Sequence, residues 1–178
     1  DYRVMKYKTL LLTILLVGII APNCNAQSFL ETRVKNVEGK QSNILKESGE
    51  SEIIVLDFWA TWCKPCIKAL PKIEALAEEF KENSVKFIGV NGDSPRNIAK
   101  VKPFVKTHGI SYPVILDTDQ EIMSELLVNA FPTLVIINRE GEILYTHKGF
   151  SNGDEKIIRS KIETIFPIKT QPLDIFFN

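Results

Sequence analysis

Two cysteines, Cys63 and Cys66, are separated by only two residues. Residues of this type at this spacing can form and break a disulfide bond with each other. Residues 53–56 before them are apolar and mostly β-branched, which predicts a buried strand, and the periodic apolar positions after them predict a helix. Where a strand passes into the first turn of a helix, such a pair lies within the roughly 4.4–6.8 Å Cα separation of a disulfide. A helix N-terminus also stabilises negative charge, which favours the thiolate form of the first cysteine. The pair therefore indicates reversible thiol–disulfide chemistry.

A C-x-x-C pair can instead supply half of a zinc site or form an inert structural bridge. Zinc needs four ligands, and the chain offers only Cys24 as a further cysteine and two isolated histidines, His108 and His147. A bridge that encloses two residues gains little stability from loop closure. Redox chemistry is therefore the preferred interpretation, and the sequence predicts neither a metal nor a cofactor.

Several stretches carry a family pattern. Residues 57–66 read DFWATWCKPC, Pro71 follows within the predicted helix, residues 113–119 read PVILDTD, and residues 131–133 read FPT just before an apolar run. Together they resemble the thioredoxin superfamily, whose W-C-x-P-C motif follows a strand ending in D-F-W-A, and within it the exported TlpA/ResA-like branch. The resemblance covers most of residues 29–166. It implies a thioredoxin-like fold and thiol–disulfide oxidoreductase activity.

The position of each cysteine in the predicted helix separates their roles. Cys63 precedes the helix proper, so we expect it to be the exposed nucleophile that attacks a substrate disulfide. Cys66 lies one turn further and faces the protein, so we expect it to be the resolving thiol. The resemblance assigns the same roles, and the oxidised pair would be the redox-active disulfide.

Asp57 is the most informative residue outside the cysteine pair, because it interrupts an apolar strand. Burying an unpaired carboxylate costs several kcal/mol or forces its protonation. A strand-end aspartate that reaches solvent is the simpler interpretation, whereas the resemblance implies a buried carboxyl of raised pKa that accepts the proton of Cys66. The TlpA/ResA-like branch usually carries Asn here and Glu three residues after the second cysteine. This chain has Asp57 and Ala69, so its proton acceptor looks thioredoxin-like.

Three residues are expected to bind substrate. The resemblance implies that the Phe131–Pro132 peptide bond is cis and lies against the disulfide, which leaves the Phe131 backbone free to pair with an extended substrate segment. Trp62 borders Cys63 and would form an apolar rim for docking, although a purely structural role is the alternative. The bulk of Phe131 would narrow the choice of substrate.

The composition is that of one ordinary globular domain, with 178 residues of which 44% are hydrophobic and 25% charged. Lys plus Arg and Asp plus Glu number 22 each, so no excess of positive charge points to a nucleic acid partner. We expect a monomer.

The first 26 residues have the layout of a secretory signal peptide. Residues 5–8 supply a basic start, and residues 10–20 supply an apolar run of 11 residues. That run is shorter than the about 20 residues that a membrane-spanning helix needs. The sequence therefore predicts export to the periplasm, an oxidising compartment.

The expected processing defines the domain boundaries. Within the predicted signal peptide of residues 1–26, residues 1–4 are expected to lie upstream of the true start at Met5, and cleavage is expected after Ala26. A lipoprotein anchored through Cys24 is the alternative. The thioredoxin-like domain would then occupy residues 27–167, and residues 168–178 form a C-terminal tail without a usable pattern.

Strands alternate with helices early in the chain and a hairpin comes late, which predicts an α/β fold with a central mixed sheet flanked by helices. The resemblance adds a TlpA/ResA-type insertion and an N-terminal strand extension. The expected strands are residues 29–37, a central strand from residue 53, and residues 85–90, 114–116, 133–138 and 142–150. The expected helices are residues 64–83, 94–108, with a kink or restart at its internal proline, 119–128, and 154–166.

The leading functional hypothesis is an exported thiol–disulfide oxidoreductase that reduces disulfides of client proteins. The resemblance implies clients of the cytochrome c maturation or copper-site assembly type, and a membrane thiol electron donor. A net oxidant or isomerase of protein disulfides would use the same residues. A copper-binding chaperone that uses the thiolates as soft ligands is an alternative from another class.

Overall fold

The structure is a computed structural model that describes residues 28–167. The predicted signal peptide, residues 1–26, and the tail, residues 168–178, lie outside the described residues. At the centre is a seven-stranded mixed sheet in the order β2-β1-β5-β4-β3-β6-β7, which confirms the expected α/β fold. The strands are β1 (Val34–Asn36), β2 (Gln41–Ser42), β3 (Ile53–Trp59), β4 (Val85–Asn91), β5 (Val114–Leu116), β6 (Thr133–Asn138) and β7 (Ile143–Lys148).

Helices cover both faces of the sheet. In the part of the chain that the structure describes, none of them is long and apolar enough to cross a membrane. The helices are α1 (Ser28–Glu31), α2 (Ile44–Ser48), α3 (Lys64–Phe80), α4 (Val101–His108), α5 (Glu121–Glu125) and α6 (Asp154–Ile165), and a 3₁₀ turn (Ile98–Lys100) precedes α4.

Strand β3 is the centre of the molecule, and all seven of its residues are buried. It runs parallel to β4 and antiparallel to β6. Because side chains alternate along a strand, Val55 and Trp59 face the layer formed by α3, α4 and α6, whereas Leu56 and Phe58 face the layer formed by α1, α2 and α5. A strand buried on both faces reads as a continuous apolar run, which explains why the interruption at Asp57 is informative.

Two predictions near the N-terminus are wrong in detail. Residues 29–37 do not form one strand, because α1 occupies the first part and β1 begins at Val34. Phe29 and Leu30 are consecutive and both bury into the same core cluster, which a helix allows and the alternating faces of a strand do not. The expected polar connection before β3 instead contains β2 and α2, with Asn43 capping α2 through the Lys46 amide.

Two helices differ from expectation at their ends. The helix expected from residue 94 begins only at Val101, after a turn in which the Asn97 amide donates to the Ser94 carbonyl. It ends as expected at Gly109, which adopts a left-handed φ of 64°. Helix α5 is shorter than predicted and ends at Glu125, because Leu127 leaves the helical region with a φ of 54°.

Candidate active site

Cys63 and Cys66 form a disulfide at the point where β3 gives way to α3, with their Cα atoms 5.3 Å apart. Cys63 is the N-cap of α3, and its Sγ accepts a hydrogen bond of 3.2 Å from the Cys66 amide. Donors at a helix N-terminus favour negative charge on this sulfur. Cys63 is only 4% exposed and Cys66 1%, so the expectation of a broadly exposed Cys63 is wrong for the oxidised state. In this state the Cys63 sulfur is bonded to Cys66.

Asp57 is buried in β3, two residues before the strand ends. The alternation along β3 directs it to the same layer as Val55 and Trp59, which also contains Cys63 and Cys66. Burial raises the pKa of Asp57 from 3.8 to about 6, and a hydrogen bond from Tyr112 offsets part of that rise. The interpretation of Asp57 as a carboxylate that reaches solvent is therefore wrong. Burial therefore shifts the pKa of this carboxyl toward neutral pH.

Tyr112 is the direct partner of Asp57, and sequence reasoning missed it. Its hydroxyl donates a hydrogen bond of 2.9 Å to Asp57 Oδ2, and burial together with the carboxylate raises the pKa of Tyr112 well above its ordinary value. The ring is buried and packs against Phe87. No local pattern marks Tyr112, because it precedes β5 by two residues and is 55 residues from Asp57.

Gly89 makes room for this contact. It lies opposite Asp57 in the parallel pairing of β3 with β4. A Cβ at this position would stand 2.9 Å from Trp59 Nε1 and 3.2 Å from Tyr112 Cε2. Any larger residue would therefore displace the tyrosine ring or the indole, so the absence of a side chain at Gly89 keeps Tyr112 within reach of Asp57.

A second buried carboxylate, Asp93, holds the turn that leads into the cysteine pair. Asp93 Oδ2 accepts from the Thr61 amide at 2.7 Å and Asp93 Oδ1 accepts from the Thr61 hydroxyl at 2.8 Å. The Asn91 side-chain amide donates to the same carboxylate at 2.8 Å. Asn91 and Asp93 are both fully buried. Since Thr61 lies two residues before Cys63, the loop after β4 fixes the approach to the nucleophile.

The Phe131–Pro132 peptide bond is cis, as the resemblance implied. The segment is anchored on both sides, because the Thr133 hydroxyl donates to the Ala130 carbonyl at 2.8 Å and the Gly149 amide donates to the Pro132 carbonyl at 2.8 Å. The Phe131 ring packs edge-on against Trp62, with ring centroids 5.8 Å apart. The structure thus joins the segment before β6 to the tryptophan beside Cys63.

A groove of about 470 Å³ opens beside these aromatic rings. Gly92 belongs to its lining, and a Cβ at this position would stand 2.5 Å from the Phe131 ring and 2.9 Å from the Met123 sulfur. Trp62, one of the residues that line the groove, is 62% exposed. The apolar residues that line the groove are Trp62, Met123, Val128, Ala130 and Phe131.

Comparison with known proteins shows the family to which this chain belongs. The sequence matches the AhpC/TSA family over residues 17–146. The chain belongs to this family. It is 31% identical to the thiol-disulfide oxidoreductase ResA of Halalkalibacterium halodurans, with 75% of this chain and 73% of the relative covered. It is 32% identical to ResA of Bacillus subtilis, with 85% and 79% covered.

A solved structure shows the same architecture. StoA from Bacillus subtilis superposes with a TM-score of 0.61 at 30% identity, covering 74% of this chain and 95% of StoA. These relatives confirm the predicted membership of the ResA-like thioredoxin-fold proteins and the enzyme class, thiol–disulfide oxidoreductase.

The site of this AhpC/TSA family member combines four chemical parts. It has a disulfide at a helix N-terminus, a buried carboxyl whose pKa is raised to about 6 by burial, a cis-proline segment whose Phe131 ring packs against Trp62, and an adjacent apolar groove. Between residues 28 and 167, no group of three His, Cys, Asp or Glu side chains is arranged to hold a metal ion. The arrangement can transfer electrons by exchanging disulfide bonds and can move a proton at Asp57.

Proposed function

We propose that this chain is an exported thiol–disulfide oxidoreductase that reduces disulfides of client proteins through Cys63 and Cys66. The observation that supports the proposal best is the position of the pair at the N-terminus of α3, in the same layer as the buried carboxyl of Asp57. Reductive exchange requires a nucleophilic thiolate, and an internal carboxylate can accept the proton that the second cysteine loses.

In the first step of the proposed reaction, the Cys63 thiolate attacks one sulfur of the client disulfide. A bond forms between Cys63 and that sulfur, and the other client sulfur leaves as a thiolate that takes up a proton. In the second step, Cys66 loses its proton and attacks the Cys63 sulfur. The Cys63–Cys66 disulfide forms, and the second client sulfur leaves. Two electrons thereby pass from the enzyme dithiol to the client.

Asp57 is the proposed acceptor of the Cys66 proton. Its pKa of about 6 means that the carboxyl is mostly ionised at neutral pH and can take up a proton at small cost. Because Asp57 is buried, the proton would move inside the protein rather than through bulk water. Tyr112 would hold the accepting carboxylate in place through its hydrogen bond to Oδ2.

Trp62, Phe131 and Pro132 are the proposed contacts for the client. Pro132 has no amide hydrogen and its carbonyl already accepts from Gly149, so the Phe131 backbone is the part of this segment that can pair with an extended client strand. The exposed face of Trp62 would cover the client residues that flank the attacked disulfide.

The proposal includes a cellular setting. The signal-like residues 5–26 support export to the periplasm, and an enzyme that reduces disulfides there needs a membrane thiol donor to restore its own dithiol. By resemblance, the clients would be proteins awaiting haem or copper, and the enzyme would act as a monomer. Mass spectrometry of the exported protein tests this setting: an N-terminus at Gln27 is expected, and an acylated Cys24 would replace the soluble form by a lipoprotein.

The direction of electron flow is tested by titrating the Cys63–Cys66 couple against glutathione and dithiothreitol buffers, with alkylation of free thiols as the readout. A reductant is expected to have a potential near the roughly −270 mV of thioredoxin. A potential near the roughly −120 mV of DsbA would overturn the reductive role and make the enzyme a net oxidant.

A further inference from the structure

Leu127 has an unusual backbone conformation for its residue type. Its φ is 54°, and among the described residues only Gln120 shares a positive φ without being glycine. The left-handed region crowds the Cβ of an L-residue against the following carbonyl, so such positions ordinarily hold Gly or Asn. The Leu127 amide donates to the Ser124 carbonyl at 3.2 Å and the Val128 amide donates to the Met123 carbonyl at 2.8 Å. This pattern ends α5, a place where glycine is common.

The side chain of Leu127 is not buried in the described fold, so packing does not offset this strain. It is 80% exposed, the highest value among the large apolar residues that the structure describes. A single exposed leucine is ordinary on a protein surface. It is unusual for an exposed leucine to adopt a backbone conformation that disfavours its own Cβ. A strained position beside an active site points to a function.

The position of Leu127 connects it to the groove at the active site. Ser124 and Val128, one its hydrogen-bond partner and the other its chain neighbour, both line that groove. Trp62, also largely exposed, lines the groove on the side of Cys63. Leu127 therefore lies next to two residues that line the groove, and its own side chain is exposed beside them.

The charge of the groove restricts what can occupy it. None of the residues that line it is charged, and its polar side chains are Gln120, Ser124 and Asn129. A charged client segment would lose hydration in this groove without gaining a partner, whereas an aliphatic or aromatic side chain would bury apolar surface. Because Trp62 and Phe131 line the groove and Trp62 is the chain neighbour of Cys63, we expect its occupant to be the chain that presents its disulfide to Cys63.

We propose that Leu127 and Trp62 form the two sides of a docking surface for an extended, uncharged client segment with an aliphatic or aromatic side chain close to its cysteine. This inference rests on the proposed function, and it adds a preference among clients. Leu127 contacts the client and takes no part in the exchange of disulfides. The strained backbone at Leu127 holds an apolar side chain outward, where the client can cover it.

The test uses the full chain with its cysteines reduced, mixed with three substrates under single-turnover conditions. Two are peptides with the same disulfide, one flanked by Leu and Phe and the other by Ser, and the third is oxidised glutathione. The variants are Leu127→Gly and Leu127→Asn, which suit the left-handed backbone but remove the apolar side chain, and Leu127→Met, which restores one. Ile143→Ser is the matched control, because Ile143 is 52% exposed on β7 at the opposite end of the sheet from the cysteines.

We expect the wild type to reduce the apolar peptide faster than the serine peptide. Leu127→Gly and Leu127→Asn should lower the rate of reduction of the apolar peptide about tenfold and change the rate for oxidised glutathione less than about twofold. Leu127→Met should recover most of the rate with the apolar peptide. The Tm of Leu127→Gly should not fall, and a rise of about 2–4 °C is expected from relief of the backbone strain. Ile143→Ser should leave the three rates unchanged.

Two results would overturn the inference in different ways. If the wild type, Leu127→Gly and Leu127→Asn reduced the apolar peptide at equal rates, and glutathione were still reduced, the docking role would be removed and the proposed function left intact. If the wild type reduced none of the three substrates, the proposed function itself would be wrong, and the docking role with it.

Discussion

The Tyr112 hydroxyl donates a hydrogen bond of 2.9 Å to Asp57 Oδ2, and both residues are buried. The pair lies in the layer of the core that also holds the cysteines. A buried carboxylate that accepts a hydrogen bond is easier to ionise than one without a partner. Tyr112 thus keeps the pKa of Asp57 within the range where a thiol proton can be accepted at neutral pH.

Tyr112→Phe removes the hydroxyl that lowers the pKa of Asp57, so that pKa should rise above about 6. The step in which Cys66 resolves a mixed disulfide should then require a higher pH, and the midpoint of its pH–rate profile should move upward. We expect a loss of about 1–3 kcal/mol in unfolding free energy at pH 8 from the missing hydrogen bond. Rapid-quench measurement of the resolving step from pH 4.5 to 9 gives the profile.

The control for Tyr112→Phe is Tyr145→Phe, which removes a hydroxyl bonded to His147 rather than to Asp57. This variant should keep the wild-type midpoint. An unchanged midpoint in Tyr112→Phe would show that Tyr112 only packs the core.

Asp57→Asn should change how stability depends on pH. A carboxyl whose folded pKa is about 6 and whose unfolded pKa is about 3.9 lowers the stability of the fold as the pH rises through that interval. The cost reaches roughly 3 kcal/mol above pH 7, is about 0.5 kcal/mol at pH 4 and is absent below about pH 3. In urea titrations, the difference in unfolding free energy, variant minus wild type, should therefore increase between pH 4 and pH 7.5 by about the difference between these two costs.

The same Asp57→Asn variant should resolve mixed disulfides more slowly, because Cys66 loses its proton acceptor. Both effects are required. A variant that loses stability at neutral pH while exchanging at the wild-type rate would make Asp57 a structural hydrogen-bonding residue.

Cys63→Ser should abolish disulfide exchange, whereas Cys66→Ser should retain the first step and accumulate a mixed disulfide through Cys63. The reason is that Cys63 caps α3 and accepts the Cys66 amide, so the helix N-terminus favours its thiolate. Non-reducing electrophoresis and mass spectrometry of the trapped species provide the measurement. Faster alkylation of Cys66 than of Cys63 in the reduced protein would reverse the assignment.

Asp93→Ala should leave the Thr61 amide and hydroxyl without their acceptor. Loss of a buried carboxylate that accepts three hydrogen bonds should cost about 2–4 kcal/mol of unfolding free energy and slow the attack by Cys63, because the turn before it is released. Asp93→Asn, which keeps one carbonyl acceptor, should lose less. Urea titration and single-turnover rates measure the two effects.

The control for the Asp93 variants is Asp119→Ala, because Asp119 is exposed on the loop after β5. It should stay within about 0.5 kcal/mol of the wild type. If the Asp93→Ala protein kept the wild-type stability and the wild-type rate of attack by Cys63, Asp93 would not be needed to hold the turn at Thr61.

The sequence by itself identified the features that depend on neighbouring residues. The C-x-x-C spacing, the apolar strand before it and the periodic helix after it lie within about thirty residues and follow from local propensity and periodicity. Asp57 was recognisable for the same reason, as a carboxylate inside an apolar run. The hairpin between β6 and β7 and the glycine that ends α4 were also predicted from local turn and cap chemistry.

The tertiary structure alone decided which distant residues meet these features. Tyr112 reaches Asp57 across 55 residues and Asp93 reaches Thr61 across 32, because the parallel strands β4 and β5 bring their connecting loops alongside β3. Whether Cys63 is exposed also depended on the packing around it. Strand pairing and close packing are long-range properties, and a single sequence carries no local signal for the side chain that a buried group will contact.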